Sequence, residues 1–164
     1  MKTLSTALLL ALVLLGVSAP ASAAYSCSVA SGGSVNFLTY DSTSAMTANA
    51  TMTLTCTHLA GGRENVSWSM MLSNGSSNTC TGPLGRTMQR QTLPAATLGY
   101  NIYQGSSSAF WGNGGCGTFP GGSMSITNGK PVESTVQTLR GVIPAGQLVP
   151  AGAYLETLLL TVTF

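Results

Sequence analysis

The sequence predicts an all-β fold, an antiparallel β-sandwich bridged by disulfides. Three observations carry that expectation. Short stretches alternate large apolar residues with Ser or Thr at period two, and Gly- and Asn-rich turns separate them; this is the pattern of strands that bury one face. No window places apolar residues at helical spacing behind a capping residue. Four cysteines, Cys27, Cys56, Cys80 and Cys116, are spread widely along the chain, which suits bridges and not a metal knuckle built on close pairs.

Residues 1–23 read as a signal peptide. Met1-Lys2 is a short positive start, Ala7 to Val17 an apolar run, and Ala21-Ser22-Ala23 a small-residue cleavage site. A membrane span needs about 20 apolar residues, more than this run offers. The expected mature chain, Ala24 to Phe164, is one domain long enough to bury a real core.

Within it, Ser34 to Leu38 reads as a first short strand before the Asp41-Ser42 turn. Ala50 to Thr57 alternates without a fault, with Ala50, Met52, Leu54 and Cys56 on one face and four threonines on the other. Val66, Trp68, Met70 and Leu72 repeat the pattern up to the Asn74-Gly75 turn. Ser76 to Gly85 reads as a polar loop holding Cys80, Arg86 to Gln91 as a short strand, and Leu98 to Tyr103 as a better one. Met124 to Thr127 and Val132 to Ile143 are expected strands joined by a hairpin turn at Asn128-Gly129.

The last stretch, AGAYLETLLLTVTF (Ala151 to Phe164), organises the rest. Leu158, Leu160, Val162 and Phe164 alternate with threonines, and Leu159 puts an apolar group on the second face. A strand of this kind at a sheet edge presents unpaired N–H and C=O groups, a template for another chain. The chain is therefore expected to act as a piece of an assembly, completed by a strand it does not own.

Four cysteines allow three connectivities; Cys27–Cys56 with Cys80–Cys116 is the expected one. Each loop so closed is worth about 3.5 kcal/mol by chain entropy, and bridges of this kind mature in an oxidising compartment. After the signal peptide, five Lys or Arg face Asp41, Glu64, Glu133 and Glu156. So few charges form no basic patch for nucleic acid. No catalytic residues are expected: His58 is the single histidine, no G-x-S-x-G elbow surrounds a serine, and Glu64 and Glu156 sit where solvent-facing residues of strand ends belong. No phosphate loop, dinucleotide fingerprint or EF-hand spacing implies a cofactor or metal. Phe110-Trp111, in a Gly-rich loop pinned by a bridge, is a candidate surface- or sugar-binding pair; the alternative is that Trp111 plugs one end of the sandwich.

Several segments together resemble the spore coat U domain family, which includes subunits of archaic, Csu-type chaperone-usher pili. They are Cys27, the strand ending at Cys56, NVSWSMMLSNG (Asn65 to Gly75), Arg86-Thr87-Met88, LGYNIY (Leu98 to Tyr103), Trp111-Gly112, and LRGVIPAGQ with the C-terminal block (Leu139 to Phe164). The resemblance implies an immunoglobulin-like sandwich lacking its final strand. It implies three kinds of partner: a periplasmic chaperone that fills the groove first, an outer-membrane usher, and other pilus subunits whose extension replaces the chaperone by strand addition. Tyr154, Leu158, Leu160 and Val162 would line the pairing edge, with the Phe164 carboxylate anchored by the chaperone's basic residues. Polymerising subunits carry a donor segment before the first cysteine; here Ala24-Tyr25-Ser26 precede Cys27, so a terminal, tip-like subunit is expected. A stand-alone secreted coat or matrix protein is the alternative.

Overall fold

The computed structural model describes residues 23–164 except Gly33 and Asn78. The expected signal peptide therefore lies outside the described residues, apart from Ala23. Nine strands form two sheets: β1 (Tyr25–Ser31), β2 (Met46–His58), β3 (Glu64–Leu72), β4 (Arg86–Arg90), β5 (Thr97–Gln104), β6 (Gly121–Ile126), β7 (Val132–Ile143), β8 (Tyr154–Leu155) and β9 (Leu160–Thr163). The larger sheet runs β1-β2-β7-β5-β4-β8 and the smaller β6-β3-β9. Every named pairing is antiparallel. No helix occurs among the described residues. The expected antiparallel sandwich of immunoglobulin type is what the chain forms.

The alternating stretches land as strands because one face of each meets the other sheet. Leu54 and Cys56 of β2 and Val66 and Met70 of β3 are at most 1% exposed. Ile102, Ile126 and Ile143 complete the centre from β5, β6 and β7. Thr127 and Lys130 exchange two main-chain hydrogen bonds at 3.0 Å, so the Asn128-Gly129 turn forms as expected. Its flanking strands do not stay together: β6 joins the small sheet and β7 the large one, so this turn is a corner of the sandwich.

Two bridges cross-link the chain. Cys27–Cys56 joins directly paired residues of β1 and β2. Cys80–Cys116 ties the loop before β4 to the loop before β6. A Cβ at Gly112 would sit 1.5 Å from the Cys116 carbonyl oxygen, so only glycine lets the second loop close this tightly.

Two expected strands are corrected. Ser34 to Leu38 is not paired in a sheet. Asn36 Oδ1 accepts the Leu38 N–H at 2.9 Å and Leu38 takes a left-handed φ of 57°, which diverts the backbone from a ladder. The segment is instead a strap whose Phe37 is 9% exposed and meets Tyr100 edge-on at 6.0 Å. It lies so close over β7 that a Cβ on Gly141 would come within 2.5 Å of Val35 and Phe37. The C-terminal stretch is not one strand either. Its first part pairs with β4 in the large sheet as β8 and its last part with β3 in the small sheet as β9.

Candidate functional site: an apolar cleft along the C-terminal strands

Among the described residues β9 is the last strand of the small sheet and pairs only with β3. Ser73 N–H donates to the Leu159 carbonyl at 2.9 Å, and the register continues through Met71↔Thr161 and Ser69↔Thr163. Successive residues in an antiparallel ladder turn their main-chain groups to alternate sides. Leu160 and Val162 therefore point their N–H and C=O groups away from β3, to the open edge. Their side chains are half-buried against the core, while Thr161 and Thr163 are exposed.

Beside this edge runs a cleft of about 960 Å³. One wall is the strap, from Ser34 to Tyr40; the other is the C-terminal segment from Gln147 to Leu160. Met52, Leu72, Met88 and Leu139 are among the apolar residues of its floor. The strap is fastened at both ends. Gly32 N–H donates to the Thr51 carbonyl at 2.7 Å, and the Tyr40 hydroxyl donates to the Pro144 carbonyl at 2.9 Å. Leu38 and Leu148, at 85% and 90% exposed, stand on the two rims.

Of the residues expected at a pairing edge, Tyr154, Leu158 and Leu160 line this cleft. Val162 continues their row against the core, whereas Phe164, 47% exposed, lies beyond β9 and outside the cleft lining. The row keeps period two while the chain passes from one sheet to the other, and that periodicity places Glu156 on it as well.

Glu156 is a correction: it faces inward. Its Oε1 accepts from the Ser76 N–H at 2.6 Å and the Ser76 hydroxyl at 2.7 Å, and its Oε2 from the Tyr100 hydroxyl at 2.6 Å. Beneath it Arg86, fully buried, donates to Asn101 Oδ1 at 2.6 Å, to the Ser73 carbonyl at 2.9 and 3.2 Å, and to the Trp111 carbonyl at 2.7 Å. Asn101 passes the network on to the carbonyls of Cys80 and Gly82, both at 2.6 Å. Polar groups this deep stay only because each finds a partner. Burial holds the Arg86 guanidinium below its ordinary value, countered by Tyr100 and Glu156.

Burial, followed by the hydrogen bond to Glu156, pushes the Tyr100 hydroxyl strongly upward. A phenol whose value is raised on folding keeps its proton in the folded chain after the unfolded chain begins to lose it, at about 10. The stabilisation is therefore full below about pH 10 and is lost as pH rises beyond it. Urea midpoints should fall above pH 10, and Tyr100→Phe should flatten that fall.

The aromatic loop does not present both its rings. Trp111 is fully buried and its indole N–H donates to the Met70 carbonyl at 2.8 Å. It plugs the sandwich, which removes it as a sugar-stacking surface; a large apolar ring with one donor settles where both are served. Phe110 is half-buried against Tyr103, with ring centroids 5.0 Å apart. The other residues weighed for chemistry have local partners. His58 Nε2 lies 2.8 Å from the Gly62 carbonyl, Asp41 caps its own turn at the Thr43 N–H, 2.9 Å away, and Glu133 pairs with Lys130 at 2.8 Å. No group of three or more metal-binding side chains occurs among the described residues, and no helix there is long and apolar enough to cross a membrane.

Comparison with known proteins places this architecture. No curated protein sequence matches the chain significantly. Among solved structures, it is similar to a chain in the crystal structure of the CsuC–CsuE chaperone–tip adhesion subunit pre-assembly complex from the archaic chaperone-usher Csu pili of Acinetobacter baumannii. That similarity has a TM-score of 0.52 at 22% identity, over 85% of this chain and 40% of that one. A weaker likeness, TM-score 0.31 at 14% identity, is to the Escherichia coli Hda pilus minor tip subunit HdaB, over 82% of this chain and 79% of that one. The spore coat family matches residues 11–161, from before the first strand to within β9. The chain belongs to the Spore Coat Protein U domain family.

Proposed function

We propose that this chain is an exported structural subunit of a chaperone-usher fibre, completed by a β-strand from another protein. The strand lies in the cleft between the strap and the C-terminal segment, hydrogen-bonded to Leu160 and Val162. A periplasmic chaperone supplies it first, and a neighbouring subunit replaces it at the outer-membrane usher. Residues 1–23 direct export, so the subunit passes through the periplasm to the cell surface. The role is one of assembly and adhesion, without catalysis.

The observation that carries this reading is the conjunction of an open strand edge with an apolar cleft. Leu160 points its main-chain groups outward and its side chain inward, beside about 960 Å³ of unfilled space between the sheets. A strand laid there satisfies both the edge and the core at once. A solved chain of the same fold, in a chaperone–subunit complex, supports the choice of partner. A terminal position in the fibre is the reading that β1 supports: Tyr25, Ser26 and Cys27 pair with His58, Thr57 and Cys56 in the chain's own sheet, where they are not free to be lent.

The experiment is co-expression with the chaperone of the same fibre system, followed by purification of the complex. The parent chain should give a stable one-to-one species. Leu160→Asp with Val162→Asp, which puts charge into the seam, should weaken it by at least about 100-fold, some 2.7 kcal/mol. Undiminished binding by the double variant overturns the edge assignment.

A second reading, a self-sufficient secreted coat protein, is favoured by the strap, since Phe37 already fills part of the interior from within the chain. It predicts a monomer that refolds reversibly with its bridges intact and no partner present.

A further inference from the structure

Along the inward row of the C-terminal segment from Tyr154 to Leu160, one residue is charged. Tyr154, Leu158 and Leu160 face the cleft at two-residue intervals, and Glu156 stands among them. No other charged side chain lines the cleft among the described residues. That single charged group bears on how an incoming strand finds its place. Alternation decides which face of a strand turns inward, but a slip of two residues restores the same alternation. One polar position in an apolar seam removes the degeneracy, because only one register satisfies it.

The hydrogen-bond inventory says what would satisfy it. An ionised carboxylate offers about four acceptor directions. Among the described residues Glu156 uses three, for the Ser76 N–H, the Ser76 hydroxyl and the Tyr100 hydroxyl. Water can serve the fourth while the cleft is open; a strand laid over it expels that water and leaves the acceptor unpaired unless the strand brings a donor. The buried Arg86 guanidinium attracts Glu156 through space while its hydrogen bonds go to Ser73, Asn101 and Trp111. A neutral donor costs less to desolvate in a closed seam than a second cation, and so suits the position better.

We infer that Glu156 is the register mark of the cleft, and that the strand it receives carries one hydroxyl side chain, Ser or Thr, among its inward apolar residues, opposite Glu156. This rests on the strand-accepting reading above and adds the absolute register and the partner's chemistry to it.

The test uses a labelled synthetic peptide of eleven residues with Val at inward and Gln at outward positions, and a series in which one Thr replaces each inward Val in turn. Thr keeps the shape of Val and adds only the hydroxyl. Against the parent protein, one member should bind about tenfold more tightly than its siblings. With Glu156→Leu that favoured position should vanish and the all-Val host should bind best. Glu156→Gln, which keeps an acceptor, should retain the same position by a smaller margin. If Glu156→Leu does not fold, Tyr100→Phe serves instead: it frees a further acceptor on Glu156 and should widen the preference. A flat series against the parent, a favoured position that survives Glu156→Leu, or a preference that Tyr100→Phe fails to widen overturns the inference while leaving strand acceptance intact. Failure of every peptide, the all-Val host included, contradicts strand acceptance itself, and the register mark falls with it.

Discussion

Occupation of the cleft by a partner strand should raise the unfolding midpoint by about 10–20 °C. Four or five inward side chains of a guest, at roughly 1.5–3 kcal/mol each for burial, give around 10 kcal/mol. Association and ordering take back a large part, leaving a surplus on the order of 5 kcal/mol. A chain of this size shifts by about 2–4 °C for each kcal/mol. Net stabilities are typically only about 5–15 kcal/mol, so the unfilled subunit should be marginal alone and become robust in complex. Scanning calorimetry of the chain with and without its partner measures the shift, and saturation must be held fixed because bound-state stability follows mass action. A midpoint that moves by less than about 2 °C at saturation means that the guest brings little apolar surface into the cleft.

Arg86→Met should cost about 3–5 kcal/mol, the size seen when one partner of a buried charged network is removed. Arg86 is fully buried, and its guanidinium serves Asn101, the Ser73 carbonyl and the Trp111 carbonyl together. Methionine matches much of its length but offers no donor, so acceptors from three segments lose their partner inside the fold. Asn101 then loses the contact that orients it toward Cys80 and Gly82, and the bridged loop loosens with it. Arg86→Lys should recover little, since one ammonium cannot reproduce a planar fork with several donors. Urea unfolding at pH 7 checks both. A loss below about 1 kcal/mol for Arg86→Met would mean that the loops hold their places without it.

The fold was legible wherever burial is one-sided and continuous. β2 and β3 announce themselves because Leu54, Cys56, Val66 and Met70 recur at period two against exposed or half-exposed neighbours. The strap was misread because Val35 and Phe37 carry the same alternation as a strand. What diverts it is the Asn36 side chain and the left-handed Leu38, a choice of backbone partner that periodicity does not encode. The C-terminal stretch was misread in the opposite sense. Its inward row runs unbroken from Tyr154 to Val162, so nothing in the pattern marks the passage from one sheet to the other.

The candidate site was partly legible for the same reason. Tyr154, Leu158 and Leu160 are found on the cleft because alternation places them there. Glu156 reads as a solvent-facing residue of a strand end, although its spacing already puts it on the inward row. Its partners lie 80 and 56 positions away in Ser76 and Tyr100, beyond the reach of any local pattern. Arg86 is the same case: a lone basic residue at a strand start looks like surface until three carbonyl and amide acceptors are folded around it. Trp111 shows the converse, since an aromatic in a Gly-rich loop reads equally as surface or plug until the loop closes on Gly112.

Residue-resolved amide hydrogen exchange on β9, with and without the partner, tests the strand-accepting edge most directly. In the chain alone, Thr161 and Thr163, whose amides face β3, should be protected, and Leu160 and Val162 should exchange freely. In complex the amides of Leu160 and Val162 should slow by about 1,000-fold or more, equivalent to roughly 4 kcal/mol. Protection of Leu160 and Val162 already present in the free chain, or unchanged on complex formation, would contradict the account.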